Sequence, residues 1–280
     1  MAAIDLTIKP AQTEIVLNQS TSSYSQAYDI TNNSSEAIRL YSSVETWIPA
    51  DTQGSVTYSS SLVNNDFSFS LVNSDLRLGQ DFILAGNQKK QLVLKISVNT
   101  NESTDGYYTF FVNQKPINDS ASSQQNLGRL GSHLLISSNI KGTPLSLEVK
   151  NFTLSPHLKD IFQKINISGE IYNPNIHYQA IDGRIIISKN KQDLFEQHLF
   201  PHTILAKNFR TLSCIDSNQE PSPCSLPIPL WPGYYQGKII LNNSSTPSLT
   251  FSFFIFPYSV VIFIIIVFAI LFLSLRKKHC

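Results

Sequence analysis

The sequence is poor in charge. Only 15% of its residues are charged, and 21 Lys and Arg against 20 Asp and Glu leave a formal net charge of +1. A balanced and weakly charged surface excludes the strong attraction on which binding to nucleic acids and other polyanions depends. We therefore predict no nucleic-acid partner.

Signatures of catalysis and of cofactor binding are also missing. The chain contains no G-x-S-x-G, no P-loop and no G-x-G-x-x-G, so neither a nucleophile elbow nor a nucleotide phosphate site is indicated. His198 and His202 stand four residues apart, a spacing that suits a metal on a helix. Pro201 between them and the lack of an adjacent Glu spoil that pattern. We predict that the protein is not an enzyme and has no catalytic residues, metal or cofactor.

Cysteine is scarce, with three in the whole chain. Cys214 and Cys224 bracket a Pro- and Ser-rich stretch that reads as an exposed loop, and a disulfide would close this loop in an exported protein. The alternative is a pair of free thiols. We predict the disulfide Cys214–Cys224.

One long apolar run lies near the C-terminus. Residues 258–275 carry no charge, Pro or Gly, and about 20 apolar residues cross a bilayer as a helix. Arg276, Lys277 and Lys278 follow directly, and the positive-inside rule makes them membrane-orienting residues of a basic cytoplasmic tail over 276–280. This predicts a single-pass protein of the cell membrane with an extracellular N-terminal ectodomain, whose export leader we expect to have been removed. The alternative, a tail anchor with its bulk in the cytosol, puts the basic residues on the wrong side.

Short β-type segments fill the rest of the chain. Alternating or β-branched runs, such as 91–98 and 107–112, are separated by turn formers rich in Asn, Ser and Gly. This spacing is typical of a sandwich. We predict an all-β protein with two tandem immunoglobulin-like β-sandwiches, over 1–141 and 142–256, followed by the C-terminal transmembrane helix over 258–275.

Both Trp residues lie in strand-like surroundings. Trp47 falls within VETWIP, and Trp231 stands beside a Pro-Gly pair that two Tyr follow. An exposed Trp231 would form a recognition platform, but aromatics next to such a turn commonly pack on the sandwich. We predict that both Trp side chains pack against their domains.

The order of these segments resembles the WxL-interacting protein family. Four stretches carry the resemblance: residues 8–48, 92–112, 164–175 and 230–243. The resemblance implies two immunoglobulin-like domains and a C-terminal membrane helix, with a peptidoglycan-binding first domain and a host-binding second domain. The loop between Cys214 and Cys224 and the short second domain depart from the family, and no site residue carries over.

Together these patterns predict a non-catalytic, membrane-anchored protein of the cell surface. Its expected partners are a cell-wall polymer or another surface protein, and the membrane through the C-terminal helix. The sequence leaves the binding residues unknown. The alternatives are a glycosylated adhesion or receptor ectodomain, in which the Asn-x-Ser/Thr sequons carry glycans, and a structural surface stalk.

Overall fold

Alternating burial runs through the strands of the computed structural model. In the segment 89–98, the side chains of Leu92, Leu94 and Ile96 are fully buried while the residues between them are exposed or half-buried, as one buried sheet face requires. The chain divides into two compact units, Met1–Thr143 and Pro144–Cys280. The structure describes residues 5–18, 22–59, 66–72, 75–116, 128–138, 140, 146–156, 159–226, 231–242 and 247–278.

Unit 1 is built from strands that form two sheets. The strands are β1 Leu6–Lys9, β2 Gln12–Leu17, β3 Ser23–Asn32, β4 Ile38–Pro49, β5 Val56–Ser59, β6 Phe67–Leu71, β7 Asp81–Leu84, β8 Lys89–Val98, β9 Thr104–Lys115 and β10 Arg129–Ser138. One sheet has the order β1-β3-β8-β6, and the other has the order β2-β10-β9-β4-β5, with β7 also paired to β4. The pairing of β2 with β10 is parallel, whereas the other pairs are antiparallel. Both sheets contribute side chains to one core, in which the ring of Tyr28 stacks on Phe110 at 4.6 Å.

Unit 2 repeats this plan with shorter strands and one helix. Its elements are β11 Glu148–Ser155, β12 Ile165–Tyr172, β13 Gln179–Ala180, β14 Gly183–Lys189, β15 Gln192–His198, β16 Thr203–Ile204, β17 Phe209–Thr211, β18 Cys214–Ile215, β19 Pro221–Ser222, β20 Cys224–Leu226, β21 Gly233–Leu241, β22 Leu249–Ile255 and α1 Tyr258–Lys278. The main sheets are β11-β12-β17, with β20 also on β12, and β15-β14-β21-β22. Side chains of both sheets form the second core.

A buried asparagine closes the same turn in each unit. Asn32, at the end of β3, donates its amide to the carbonyls of Glu36, Leu84 and Ala85. Asn173, one residue after β12, donates in the same way to three carbonyls that close its own turn: His177, Ile204 and Leu205. Because each amide satisfies three backbone carbonyls that are wholly or partly removed from water, both turns depend on it. The two units are therefore structural repeats.

The all-β sandwich prediction is confirmed, but the predicted membrane helix is not. Helix α1 contains residues 258–275 and ends at Lys278, so Arg276, Lys277 and Lys278 lie in its last turn. A span needs about 20 consecutive apolar residues, and within the described ranges no helix is both long and apolar enough to cross a membrane. The predictions of a transmembrane helix and of a single-pass protein of the cell membrane are therefore wrong. The membrane-orienting role predicted for Arg276, Lys277 and Lys278 depended on that helix.

Candidate functional site

An accessible binding feature of the described structure is the free edge of β22. This strand is the last of the sheet β15-β14-β21-β22 and pairs through Leu249–Ile255 with β21. On its other side, no strand of the described residues pairs with it. An edge strand presents unpaired backbone N–H and C=O groups and is a template for another extended chain.

Sequence features that commonly protect edge strands are absent from β22. Its sequence LTFSFFI has no charge and no Pro, and its register with β21 has no shift. The opposite edge, β15, faces a register shift in β14 and carries Asp193, Glu196 and His198. Strand β11 has a register shift of its own between Lys150 and Thr153. Because bulges and charges discourage edge pairing, β22 is the least protected of these three edges.

One hydrogen bond indicates which backbone groups of β22 face the free side. Phe256, just after the strand, donates its N–H to the carbonyl of Lys159 at 3.0 Å, and Lys159 belongs to the segment before β12. Backbone polar groups alternate in direction along a strand. The N–H and C=O groups of Thr250, Ser252 and Phe254 therefore face the same free side.

The inner face of β22 holds the strand firmly in place. Phe253 and Ile255 are buried in the core of unit 2. Phe251 lies opposite Gly237 of β21, where a Cβ atom would come within 2.1 Å of the Phe251 ring. The same ring contacts Phe152 of β11 at 4.6 Å between centroids. These inward side chains anchor β22 to unit 2.

Two grooves lie near β22. The outer groove, of about 370 Å³, is lined on β21 by Tyr234, Gln236, Gly237 and Lys238, and on β22 by residues 250–252. The inner groove has a similar volume of about 370 Å³ and is lined by residues 146–150 together with Pro247 and Ser248. A strand added to β22 would direct alternate side chains to its two faces, and each groove offers room on one of them.

Exposed aromatic residues lie on and near β21 and β22, and one of them, Tyr234, lines the outer groove. Trp231 is 79% exposed, and the cross-strand pair Tyr234 and Phe254 is 55% and 56% exposed. The prediction that Trp231 packs on the sandwich is wrong. Its backbone is nevertheless fixed, because the hydroxyl of the buried Tyr235 donates to the Trp231 carbonyl at 2.7 Å, and burial raises the pKa of that phenol. Exposed aromatic side chains are typical anchors of protein interfaces.

The two cysteines lie in the core rather than in an exposed loop. Cys214 and Cys224 are joined, with 5.0 Å between their Cα atoms, and both are 0% exposed. Strands β17 and β20 pair with the two ends of β12, so they form one interrupted strand. The disulfide closes the insertion between them and serves the fold, away from the β22 edge.

The two histidines at metal-like spacing have separate surroundings. His198 is exposed on β15, 3.9 Å from the carboxylate of Glu196. His202 shares a hydrogen bond of 2.9 Å with the Ser213 hydroxyl. Burial, and to a smaller extent the Arg210 guanidinium, lowers the pKa of His202 to about 4. Among the residues described, no group of three or more potential metal ligands occurs.

Unit 1 carries a second aromatic cluster, on the outer face of its larger sheet. Trp47 is almost buried and donates its indole N–H to the Tyr108 carbonyl at 2.8 Å. Arg129 stacks on Phe111, with 3.7 Å from its guanidinium carbon to the ring centroid, and pairs with Glu45 at 3.2 Å. These groups satisfy one another, which leaves this face less available to a ligand than the β22 edge.

Comparisons with known proteins identify no family for this chain. No protein-family model matches the chain, and no curated protein matches its sequence. Similar solved structures include the YadV chaperone, with 11% identity, a TM-score of 0.41, and coverage of 89% of this chain and 99% of that one. The Salmonella enterica SafA pilin in complex with the SafB chaperone has 13% identity and a TM-score of 0.36, with coverage of 91% of this chain and 98% of that one. The CsuC-CsuE chaperone-tip adhesion subunit complex of Acinetobacter baumannii has 12% identity and a TM-score of 0.38, with coverage of 90% of this chain and 98% of that one. At these identities the likeness concerns the fold alone.

The predicted function is corrected by these findings. The predicted membrane-anchored, cell-wall-binding protein depended on a membrane helix, and no helix among the described residues is long and apolar enough to be one. The similar structures are chaperones, alone or in complex with a pilin or a tip adhesion subunit. Sequence reasoning also missed the β22 edge. Residues 249–256 were legible as a strand, but the alternation that reveals a strand does not reveal its lateral neighbours.

Proposed function

We propose that the protein is a non-catalytic binding module that accepts an extended segment of a partner protein alongside β22. The observation that carries the proposal is the free edge at Thr250, Ser252 and Phe254, with an open groove on the outer face of β21 and β22 and a second groove at the residues before β22. In strand addition, backbone hydrogen bonds supply affinity and pockets for alternate side chains supply specificity. The β22 edge offers both.

The energetics favour a short segment. Three outward-facing residues present one N–H and one C=O each, and an intramolecular hydrogen bond contributes roughly 0.5–1.5 kcal/mol net. Side chains that enter the grooves add apolar burial of about 25 cal/mol per Å², while ordering the bound segment costs about 1–2 kcal/mol per residue. These opposing magnitudes predict modest affinity, unless aromatic contacts at Trp231 and Tyr234 add to it.

Of the predicted partners, which were a cell-wall polymer, another surface protein and the membrane, we retain a protein. One similar structure contains a pilin with its chaperone, a pairing that belongs to those proteins; the proposal here rests on β22 itself. Membership of the WxL-interacting family is an untested prediction and fits a module that binds another surface protein.

Amide hydrogen exchange on the full chain tests the proposal. A library of seven-residue peptides with alternating apolar and polar residues is screened for binding, and exchange is then measured with each binder present. We expect slower exchange at Thr250, Ser252 and Phe254, and loss of binding when the peptide backbone is N-methylated at alternate residues. Binders that protect a different strand, or a library without binders, would overturn the proposal.

A further inference from the structure

The two ends of the outer groove differ in chemistry. At one end, Lys238 of β21 lies opposite Thr250, and its exposed side chain has no ion pair or hydrogen bond within the described parts of the chain. At the other end, Tyr234 lies opposite Phe254, and Trp231 is close by in sequence. Gln236 and Ser252 form the polar pair between them. The groove therefore changes from cationic to aromatic along β22.

An added strand would bring its side chains to this groove in register. Cross-strand neighbours share a face of the sheet, so the residues opposite Thr250, Ser252 and Phe254 place their side chains on the outer face. Adjacent strands lie about 4.8 Å apart, and the added strand is therefore roughly 10 Å from β21. A lysine and a carboxylate side chain together can cover that distance over the small Thr250 side chain.

The inner groove does not provide a comparable charge. Its two charged groups, Glu148 and Lys150, already pair with each other at 2.6 Å. Side chains of the bound segment that face inward therefore meet a neutralised pair and the apolar Leu147 and Val149. Charge selection falls to the outer face and to Lys238.

Building on the proposed function, we infer that the ligand is an extended segment with the pattern aromatic-x-polar-x-acidic, read from its N-terminus. The aromatic residue lies beside Tyr234 and Phe254, and the carboxylate reaches the Lys238 ammonium. This order corresponds to a segment antiparallel to β22. That orientation continues the antiparallel pairing of the sheet and is the more stable arrangement per residue.

Three peptides measured on the full chain by fluorescence anisotropy test this pattern. All are acetylated and amidated and are flanked by Thr: the matched peptide Phe-Val-Ser-Val-Glu, its charge variant Phe-Val-Ser-Val-Lys, and the reversed peptide Glu-Val-Ser-Val-Phe. We expect the matched peptide to bind tighter than the Lys peptide by about two- to fivefold, as for an exposed ion pair. Lys238→Gln should abolish the difference, Lys238→Glu should reverse it, and molar salt should reduce it. Lys238 is exposed, so both variants should unfold at the wild-type midpoint.

The outcomes separate this inference from the proposed function. Equal binding of the Glu and Lys peptides, with Thr250, Ser252 and Phe254 still protected from exchange, overturns the role of Lys238 and leaves strand addition standing. Tighter binding of the reversed peptide overturns the antiparallel orientation. Failure of all three peptides, together with failure of the wider library to protect these amides, overturns the proposed function and this inference with it.

Discussion

Replacing Ser252 by Pro should block the β22 edge without unfolding the protein. The N–H of Ser252 faces the free side, so the pairing of β22 with β21 does not use it. Proline removes this donor and places its ring where a partner strand must approach to about 4.8 Å. Proline is tolerated on edge strands when its nitrogen faces solvent, and the preceding Phe251 is already extended, as a residue before proline prefers.

The expected loss of binding follows from the groups removed. One backbone hydrogen bond contributes about 1 kcal/mol net, and the ring also displaces the bonds next to it. We therefore expect Ser252→Pro to weaken peptide binding at least tenfold, which corresponds to about 1.4 kcal/mol. The free energy of unfolding should change by less than about 1 kcal/mol, because the buried face of β22 is untouched.

A matched control comes from the same position. Ser252→Ala removes the hydroxyl but keeps the N–H, so its affinity should equal that of the wild type. Phe253→Pro should instead unfold unit 2, because its N–H faces β21 and its ring is buried. Anisotropy measures the affinities, and urea unfolding followed by circular dichroism measures stability. If Ser252→Pro folds normally and binds as well as Ser252→Ala, the assignment of the binding edge is refuted.

Three further predictions concern stability, each read from urea unfolding. Replacing Cys214 and Cys224 together by Ala should lower the free energy of unfolding by about 3 kcal/mol, because the bridge restricts the unfolded chain across a sequence separation of 10 residues and both cysteines are buried; an unchanged midpoint would contradict this. Asn32→Ala and Asn173→Ala should each cost about 2–4 kcal/mol, since each leaves three carbonyls without their donor; Asn→Asp, which keeps the shape but loses the amide donors, should be no better. The folded pKa of His202, about 4, lies below its ordinary value of 6.5. Its stabilising contribution is therefore complete above pH 6.5 and is lost as pH falls from 6.5 through 4; allowing for its partial exposure, the loss is about 1 kcal/mol, and His202→Gln should not show it.

Local pattern was sufficient to predict which segments are strands. In β8, alternation of Leu92, Leu94 and Ile96 with polar or half-buried residues reports a buried face, and the structure buries all three. This works because side chains of a strand point to opposite faces with a period of two. The class of the fold follows from many such segments separated by turns.

Other features depend on contacts between distant segments, and the sequence did not reveal them. Alternation in LTFSFFI is the same in a central strand and in an edge strand, because pairing uses backbone groups that every residue carries. Only the sheet order, with β21 on one side of β22 and no described strand on the other, made it an edge. Likewise, Trp231 follows a pattern typical of packing, yet its backbone is held by Tyr235 while its indole faces solvent.

The sequence by itself therefore determined the strands, their buried faces and the all-β class, since these arise from interactions between near neighbours in the chain. Tertiary structure decided which strand lies at an edge, which aromatic ring is exposed and where the cysteines meet the core. Those outcomes are set by the lateral order of strands far apart in sequence. Free backbone groups at β22 and the grooves beside it exist only once that order is formed.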